Sequence, residues 1–394
     1  MTRYRMYPSQ AQYEALLLHC AHARFVWNLA VEQQALYVHG TGRKPPTSTE
    51  RFRQLTEARA DNPWLAAGSV TVQQQALRDF DQAMRNFFGG THRRPSWRKR
   101  GMDEGFRIVG GQAQRVERIN RKWAKVLVPK VGWVKFRLGG LDMPDAKSYR
   151  VTMDRAGRWH ISFAVVPDPI PAPGTGEVVG VDRGVVHAAV VSDGTVYDYD
   201  RPDLDQKVRR LQRQLSRCKR GSNRRAKVKA RLARAQARRA DARKDFVEKA
   251  TTDLARRFDL IRLEALSVRS MTRSAKGTVE APGTNVRQKA GLNRSILDKG
   301  WGFFAQRLGH KALGRVEYVP AAYTSQRCSV CGHVAAENRE SQAVFRCVAC
   351  GHTGNADLNA AKNIAAGHAV TARGGSPLGE PSNREPLHLS LLSA

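Results

Sequence analysis

Behind Ser9, the residues Tyr13, Leu16, Leu17 and Cys20 recur at helical spacing, and Ser9 with Gln12 forms a capping box. A helix therefore opens near residue 10. The stretch before it, TRYRMYP, alternates basic with aromatic or apolar side chains and reads as a short strand. Thr47 with Glu50 opens a second helix, and a third runs roughly from Val70 to Phe88, where Gly89-Gly90 ends it. From about residue 115 to 166 the period changes to two, through KVLVPKVGWVKFRL and SYRVTMDRAGRWHISFAVV, with a hairpin turn at Asp154 to Gly157. The run PDPIPAPGTG (167–176) is rich in Pro and Gly and marks the main domain boundary.

Beyond it, EVVGVDRGVVHAAVVSDGTVYDY reads as two or three short strands joined by tight turns. A long basic helical region follows, then a strand in DLIRLEAL, a polar loop near 270–290 and a helix from about Ser295 to Leu313. A strand in RVEYV and a last helix starting near Asn355 complete the pattern. The tail from Gly367, rich in Gly, Pro and Ser, is expected to be disordered. The fold class is α/β and multi-domain. A hairpin, a third strand, a long crossover helix and a fourth strand form the order of an RNase H-like sheet, whose first and fourth strands are parallel neighbours.

Charge narrows the partners. The chain carries 67 Lys and Arg against 35 Asp and Glu, a formal +32, so a polyanion is the expected partner and nucleic acid leads an anionic membrane surface. No apolar run is long enough to span a bilayer, and the N-terminus lacks the apolar core of a signal peptide. The six cysteines are too few for a secreted disulfide scaffold of this length, which points to a reducing, cytoplasmic setting. Between Lys207 and Lys249 there are 18 Lys and Arg against three acids. This suits a surface that tracks a phosphate backbone better than a merely solvated face. Its candidate contacts are Arg209, Arg210, Arg213, Arg217, Lys219, Arg220, Arg224, Arg225 and Lys227. The loop holding Arg93, Arg94, Trp97, Arg98, Lys99 and Arg100 reads similarly. Trp97 fits stacking on a base and packing on the protein equally well.

Cys328-x2-Cys331-x15-Cys347-x2-Cys350 has the spacing of a four-cysteine zinc site, and Gly332 and Gly351 give each knuckle a permissive backbone. Four protein ligands close the coordination shell, so this zinc is structural. Catalysis falls to acids at element ends. Asp182 ends Val178-Val179-Gly180-Val181, Glu264 ends Leu260-Ile261-Arg262-Leu263, and Asp357 lies in the first turn of the last helix. Singly, each is an ordinary strand-end or turn residue. As a set of three they suit a pair of Mg²⁺ ions, with Mn²⁺ as a substitute, about 3.5–4 Å apart, for phosphodiester hydrolysis.

The combination resembles the TnpB (OrfB) proteins of bacterial insertion sequences, RNA-guided endonucleases related to the smaller type V CRISPR effectors. The resemblance lies in YRMYPSQAQ, ARFVWNLA, RRPSWRKRG, VVGVDRGV, LQRQLSRCKRGSNRRAKVKARLARA, LIRLEALSV, GLNRSILDKGWGFF, YTSQRCSVCG and NADLNAAKNI. It implies a RuvC-like nuclease domain over 173–366 with Asp182, Glu264 and Asp357 as metal-binding acids and a zinc ribbon at 324–353. It also implies an N-terminal β-barrel (1–10 and 115–172), a helical recognition lobe (11–114) inserted in it, and a tail over 367–394. The implied partners are a guide RNA made from the transposon end and double-stranded DNA cut beside a short adjacent motif; the chain is expected to act as a monomer, though its sequence leaves the oligomeric state open. Many relatives carry Asp-Arg-Asp where this chain has Asn355-Ala356-Asp357, yet the acid before Leu358-Asn359-Ala360-Ala361 remains. Two other classes stay open: a catalytically silent RNA-guided repressor, and a zinc-ribbon DNA-binding factor without a guide.

Overall fold

The computed structural model describes residues 2–37, 44–102, 104–139, 143, 145 and 147–367. The chain forms two compact units, Met1–Asp168 with Arg201–Asp241, and Pro169–Asp200 with Ala242–Ala394. The expected disordered tail lies, from residue 368 on, outside the described residues.

The first unit starts with β1 (Thr2–Tyr7), α1 (Gln10–Ala35), α2 (Ser48–Asp61), α3 (Pro63–Ala67) and α4 (Val70–Phe88). Caps fix these starts: Ser9 and Gln12 close a reciprocal box on α1, and the Thr47 side chain accepts from Glu50 N on α2. Six strands follow, β2 (Gly105–Val109), β3 (Val116–Arg118), β4 (Trp123–Val128), β5 (Gly132–Arg137), β6 (Ser148–Met153) and β7 (Trp159–Phe163). The seven strands form one sheet in the order β2-β6-β7-β1-β5-β4-β3. In a flat sheet the outer strands would stand about 29 Å apart, six spacings of about 4.8 Å. The chain from Val109 to Val116 reaches at most about 25 Å and contains a 3₁₀ turn, so the sheet curls its edges toward each other. Alternation buries Ala124, Val126 and Val128 of β4, which join Phe136, Tyr149 and Phe163, with Leu16 and Phe80 from the helices, in one core. Strand structure begins at Gly105, ten residues before the period change becomes visible, because GFRIV is too short to display a period.

The next strands are β8 (Val178–Asp182), β9 (Ala189–Val191) and β10 (Val196–Tyr197). The expected single basic helical region is instead a helical hairpin, α5 (Pro202–Ser216) and α6 (Asn223–Arg257). A thin apolar seam of Val208, Leu211, Leu232 and Ala235 holds its arms together. Then come β11 (Leu260–Glu264), α7 (Val268–Met271), α8 (Val286–Lys299), α9 (Trp301–Lys311), β12 (Val316–Val319), β13 (Val344–Arg346), β14 (Thr353–Asn355) and α10 (Ala356–Ala366). One helix was expected over 295–313; Gly300, at φ 74°, breaks it into α8 and α9.

The second sheet has the order β10-β9-β8-β11-β12. β8, β11 and β12 are parallel, and β9 runs antiparallel to β8. β8 and β11 are thus the parallel neighbours that the strand order requires. Both are buried on their inner positions, and Val179, Val181, Ile261 and Leu263 share a core with Leu254 and Phe304. Helix α10 lies so close to β8 that a Cβ on Gly180 would come 2.2 Å from the Ala361 carbonyl oxygen. Only glycine fits there. Among the described residues no helix is long and apolar enough to cross a membrane.

Candidate functional site

The four cysteines meet in two matching knuckles. Cys328 N donates to the His333 carbonyl at 2.8 Å and Gly332 N to the Cys328 carbonyl at 3.0 Å; Cys347, His352 and Gly351 repeat both bonds at the same distances. Gly332 and Gly351 take φ of 76° and 72°, which close the turns without strain. Cys328 and Cys350 sulfurs lie 3.8 Å apart, and Cys331 and Cys347 sulfurs 3.6 Å. A tetrahedron with zinc–sulfur bonds of about 2.3 Å has edges of about 3.8 Å, so the donor set fits zinc in both chemistry and spacing. The Cys350 N–H, aided by that of Ala349, pulls the Cys347 thiol below its ordinary value, while, against the His352 N–H, the neighbouring sulfurs push Cys350 above its own.

The three acids are built differently. Leu263 pairs with Val181 in register, so Glu264 and Asp182, the next residues, end neighbouring strands at one level. Asp357 enters from the first turn of α10, whose start the Asn355 side chain caps by accepting from Asp357 N and Leu358 N. All three line a cavity of about 280 Å³ with Arg183, Thr324, Arg339 and Gln342. Their oxygens are hard donors of the kind Mg²⁺ takes. They are spread wider than the sulfurs: among the described residues, only the four cysteines form a group whose ligand atoms all lie within 4.8 Å. Burial first, then the Glu264 and Asp357 carboxylates, pushes the Asp182 carboxyl up to about 7 against the pull of Arg339 and Arg183. A divalent cation between the acids would reverse that balance.

Other side chains of the site were not foreseen. Buried Arg183 donates to the Glu264 carbonyl, and Trp301 Nε1 donates to the Gly184 carbonyl at 3.1 Å, so the turn after Asp182 is tied to β11 and α9. Arg339 Nη2 lies 3.6 Å from Asp357 Oδ1 and brings a cation to the acids from the cysteine segment. Thr324 Oγ1 donates to Glu264 Oε1 at 2.6 Å. Asn359 and Asn363 of α10 bind the same segment. Asn359 donates to the Arg327 carbonyl at 2.8 Å and accepts from Ser329 N at 2.9 Å; Asn363 donates to the Thr324 and Arg327 carbonyls at 2.9 and 2.7 Å. The signal for this pair was present in NADLNAAKNI, where Asn355, Asn359 and Asn363 recur every four residues along one face of an alanine-rich helix.

Of the basic candidates on the hairpin, Arg209, Arg210, Arg213, Arg217, Lys219, Arg220, Arg224 and Lys227 are exposed. Arg225 is not: its guanidinium donates to the Leu215 carbonyl at 2.7 Å and the Cys218 carbonyl at 3.2 Å, closing the turn between α5 and α6. In the other loop, α1 fixes the backbone through Trp27 Nε1 on the Ser96 carbonyl (2.9 Å) and through Asn28 on Arg98. Arg98 stacks over the Trp27 ring at 3.7 Å. Trp97 is 55% exposed. Arg93, Lys99 and Arg100 are exposed beside it, and Arg94 reaches the Gln34 carbonyl at 3.3 Å.

Three family models match the chain: "Probable transposase" over residues 160–275, "Cas12f1-like, TNB domain" over 301–364, and "Helix-turn-helix domain" over 1–41. In the described part of the last stretch, the structure has one strand and one continuous helix of 26 residues. An Escherichia coli (strain K12) protein named "Putative RNA-guided DNA endonuclease InsQ" is 38% identical over 376 residues, covering 93% of this chain and 92% of that protein. A Streptomyces pristinaespiralis protein with the same name, without the gene symbol, is 28% identical over 94% of this chain and 90% of its own length. Among solved structures, a complex of Cas12f1 with its sgRNA and target DNA covers 91% of this chain and 83% of that chain, with a TM-score of 0.53 at 14% identity. That likeness is one of fold.

Proposed function

The chain belongs to the TnpB (OrfB) family, and from that premise we propose that it is an RNA-guided, metal-dependent DNA endonuclease encoded by a transposable element. The observation that carries the reading is the convergence of Asp182, Glu264 and Asp357, from three separate elements, on one cavity. On this reading the five-stranded sheet with α10 is the RuvC-like nuclease domain. The curled seven-stranded sheet is the β-barrel, and α1 to α4 supply its helical recognition lobe. The cysteine knuckle is a structural zinc ribbon.

The acids would hold two Mg²⁺ ions, which supply polarisation of the attacking water and of the leaving 3′ oxygen when bound. The chain's own groups prepare the place. Asp182 must release its proton to bind a cation, and its two carboxylate neighbours make that release pH-sensitive. Arg339, beside Asp357, offers a guanidinium to the phosphate that enters the cavity. Arg183 fixes the strand end that carries Glu264. Guide pairing would read the target, while the exposed arginines and lysines of the α5–α6 hairpin, with Trp97 and its loop, hold nucleic-acid backbone and bases.

Sequencing the RNA that co-purifies with the protein, then offering duplex DNA matched to it, tests this reading. Matched DNA carrying the adjacent motif should be cut in Mg²⁺ and unmatched DNA left whole. Cutting that ignores the RNA sequence would remove the guided reading.

A further inference from the structure

Thr324 and Glu264 are 60 residues apart in sequence and joined by a 2.6 Å hydrogen bond. We propose that Thr324 is a positioning residue that fixes which oxygen of the Glu264 carboxylate faces the cavity, and that α10 holds it in place through Asn363. This rests on the reading of Glu264 as a metal-binding acid.

A carboxylate presents two equivalent oxygens until a donor distinguishes them. Thr324 is 4% exposed and Glu264 8%, so the bond itself lies largely out of reach of water even though both residues border the cavity. The hydroxyl has one proton and two acceptors in reach, Glu264 Oε1 at 2.6 Å and the Ala321 carbonyl at 3.2 Å. The nearer and charged acceptor takes it. Oε1 is thereby engaged, and Oε2 is left for a cation. At the other end of the residue, Arg183 engages the Glu264 backbone carbonyl, so Glu264 is pinned at both main chain and side chain.

Thr324 is itself held by its own carbonyl, which accepts from Asn363 Nδ2 at 2.9 Å. The same amide reaches the Arg327 carbonyl, one residue before Cys328. Helix α10 thus carries one cavity acid, Asp357, and orients the donor to another. Packing alone does not explain a threonine at this place, since valine has the same shape. Donors behind metal-binding side chains typically change metal affinity about 10- to 100-fold when removed.

The test uses the full chain with its bound RNA, Mn²⁺ as the probe read by paramagnetic resonance, and the Asp182→Ala complex as the blank for metal held by RNA. Thr324→Val should weaken Mn²⁺ binding about tenfold while zinc content and RNA binding stay as in the wild type. Thr324→Ser should restore the affinity to within about twofold, a rescue that a role in packing would not give. Wild-type Mn²⁺ affinity in Thr324→Val, with Glu264→Gln clearly impaired, overturns the positioning role whatever happens to the melting temperature. Wild-type affinity in Glu264→Gln as well overturns the acid-site reading first. Should Thr324→Val not fold, Asn363→Ala decides: it keeps the hydroxyl but frees its backbone, and an unchanged Mn²⁺ affinity there would equally refute the proposal.

Discussion

The cysteine knuckle and the acid site share the segment 324–339 and are built on opposite plans. In the knuckle, four soft donors come from two turns, one closed by the Arg327–Val334 bridge and the other by β13 and β14, already drawn within 4.8 Å of one another, with short-range backbone bonds shaping each turn. In the acid site, three hard donors come from β8, β11 and α10, spread around an open cavity and fixed by bonds that span up to 81 residues. A closed shell of local origin suits a metal that stays and stabilises. An open set assembled from distant elements leaves room for substrate and water, and it is only as good as the packing behind it. That packing is supplied in part by the knuckle's own segment, through Thr324 and Arg339. On the proposed reading, the nearness of the two sites in sequence lets the cysteine knuckle steady the stretch of chain that furnishes Thr324 and Arg339 to the acids.

The largest expected effect breaks the acid site alone. Asp182→Ala should lower cleavage by about a thousandfold or more, because both metal-dependent steps lose a shared ligand. Zinc content and target binding should match the wild type; a variant that still cuts a matched target in Mg²⁺ would dissolve the distinction. The reverse change, Cys347→Ser, removes one of four sulfurs. We expect loss of zinc by metal analysis and protease cutting within 324–353, followed by a fall in Mn²⁺ affinity at the acid site as Thr324 loosens. Cleavage at the wild-type rate without zinc would show that the knuckle does not support the acids.

Gly180→Ala sharpens the comparison because it moves α10, and Asp357 with it, without replacing any of the three acids or four cysteines. The new Cβ would sit 2.2 Å from backbone, so α10 must retreat from β8 at a cost on the order of 1–3 kcal/mol. The melting temperature should fall and cleavage should fall with it, while zinc is retained. The smallest effect concerns protons. The folded Asp182 carboxyl sits near 7, above the unfolded value of about 4, so the metal-free fold holds a proton that the unfolded chain gives up between those values. That stabilisation is complete below about pH 4 and is lost as the pH rises through 7. Relative to Asp182→Asn, metal-free wild type should therefore melt lower at pH 8 than at pH 6, and excess Mg²⁺ should erase the difference. Identical pH dependence in the two proteins would contradict the burial of the Asp182 carboxyl beside its two carboxylate neighbours.

The same contrast explains what could be read in the chain and what could not. The knuckle was legible because its chemistry is local: two CxxC pairs and two following glycines carry it within 24 residues. Helix starts at Ser9, Thr47 and Asn355 were legible for the same reason, since a cap acts within three residues. Asp182, Glu264 and Asp357 could be nominated from element ends, and the parallel pairing of β8 with β11 follows from strand order. The residues that hold them could not. Thr324, Arg183 and Arg339 act across 60, 81 and 18 residues, and nothing in a short window marks a threonine as a carboxylate's partner. Arg225 shows the opposite failure: in a run of like charges it was indistinguishable from its neighbours, yet it is the one folded back onto the turn. Gly300 sat inside an unbroken helical pattern, and only its positive φ reveals the break.

The central claim is that guided binding and metal-dependent cutting reside in separable parts of this chain, the second in the three acids. The most direct test loads wild-type protein, with its own RNA, onto matched duplex DNA in chelator and then adds excess Mg²⁺. We predict stable binding without cutting in chelator and cleavage of the bound DNA once Mg²⁺ is present. Cleavage in chelator, or a bound target that stays intact in both Mg²⁺ and Mn²⁺, would contradict the account.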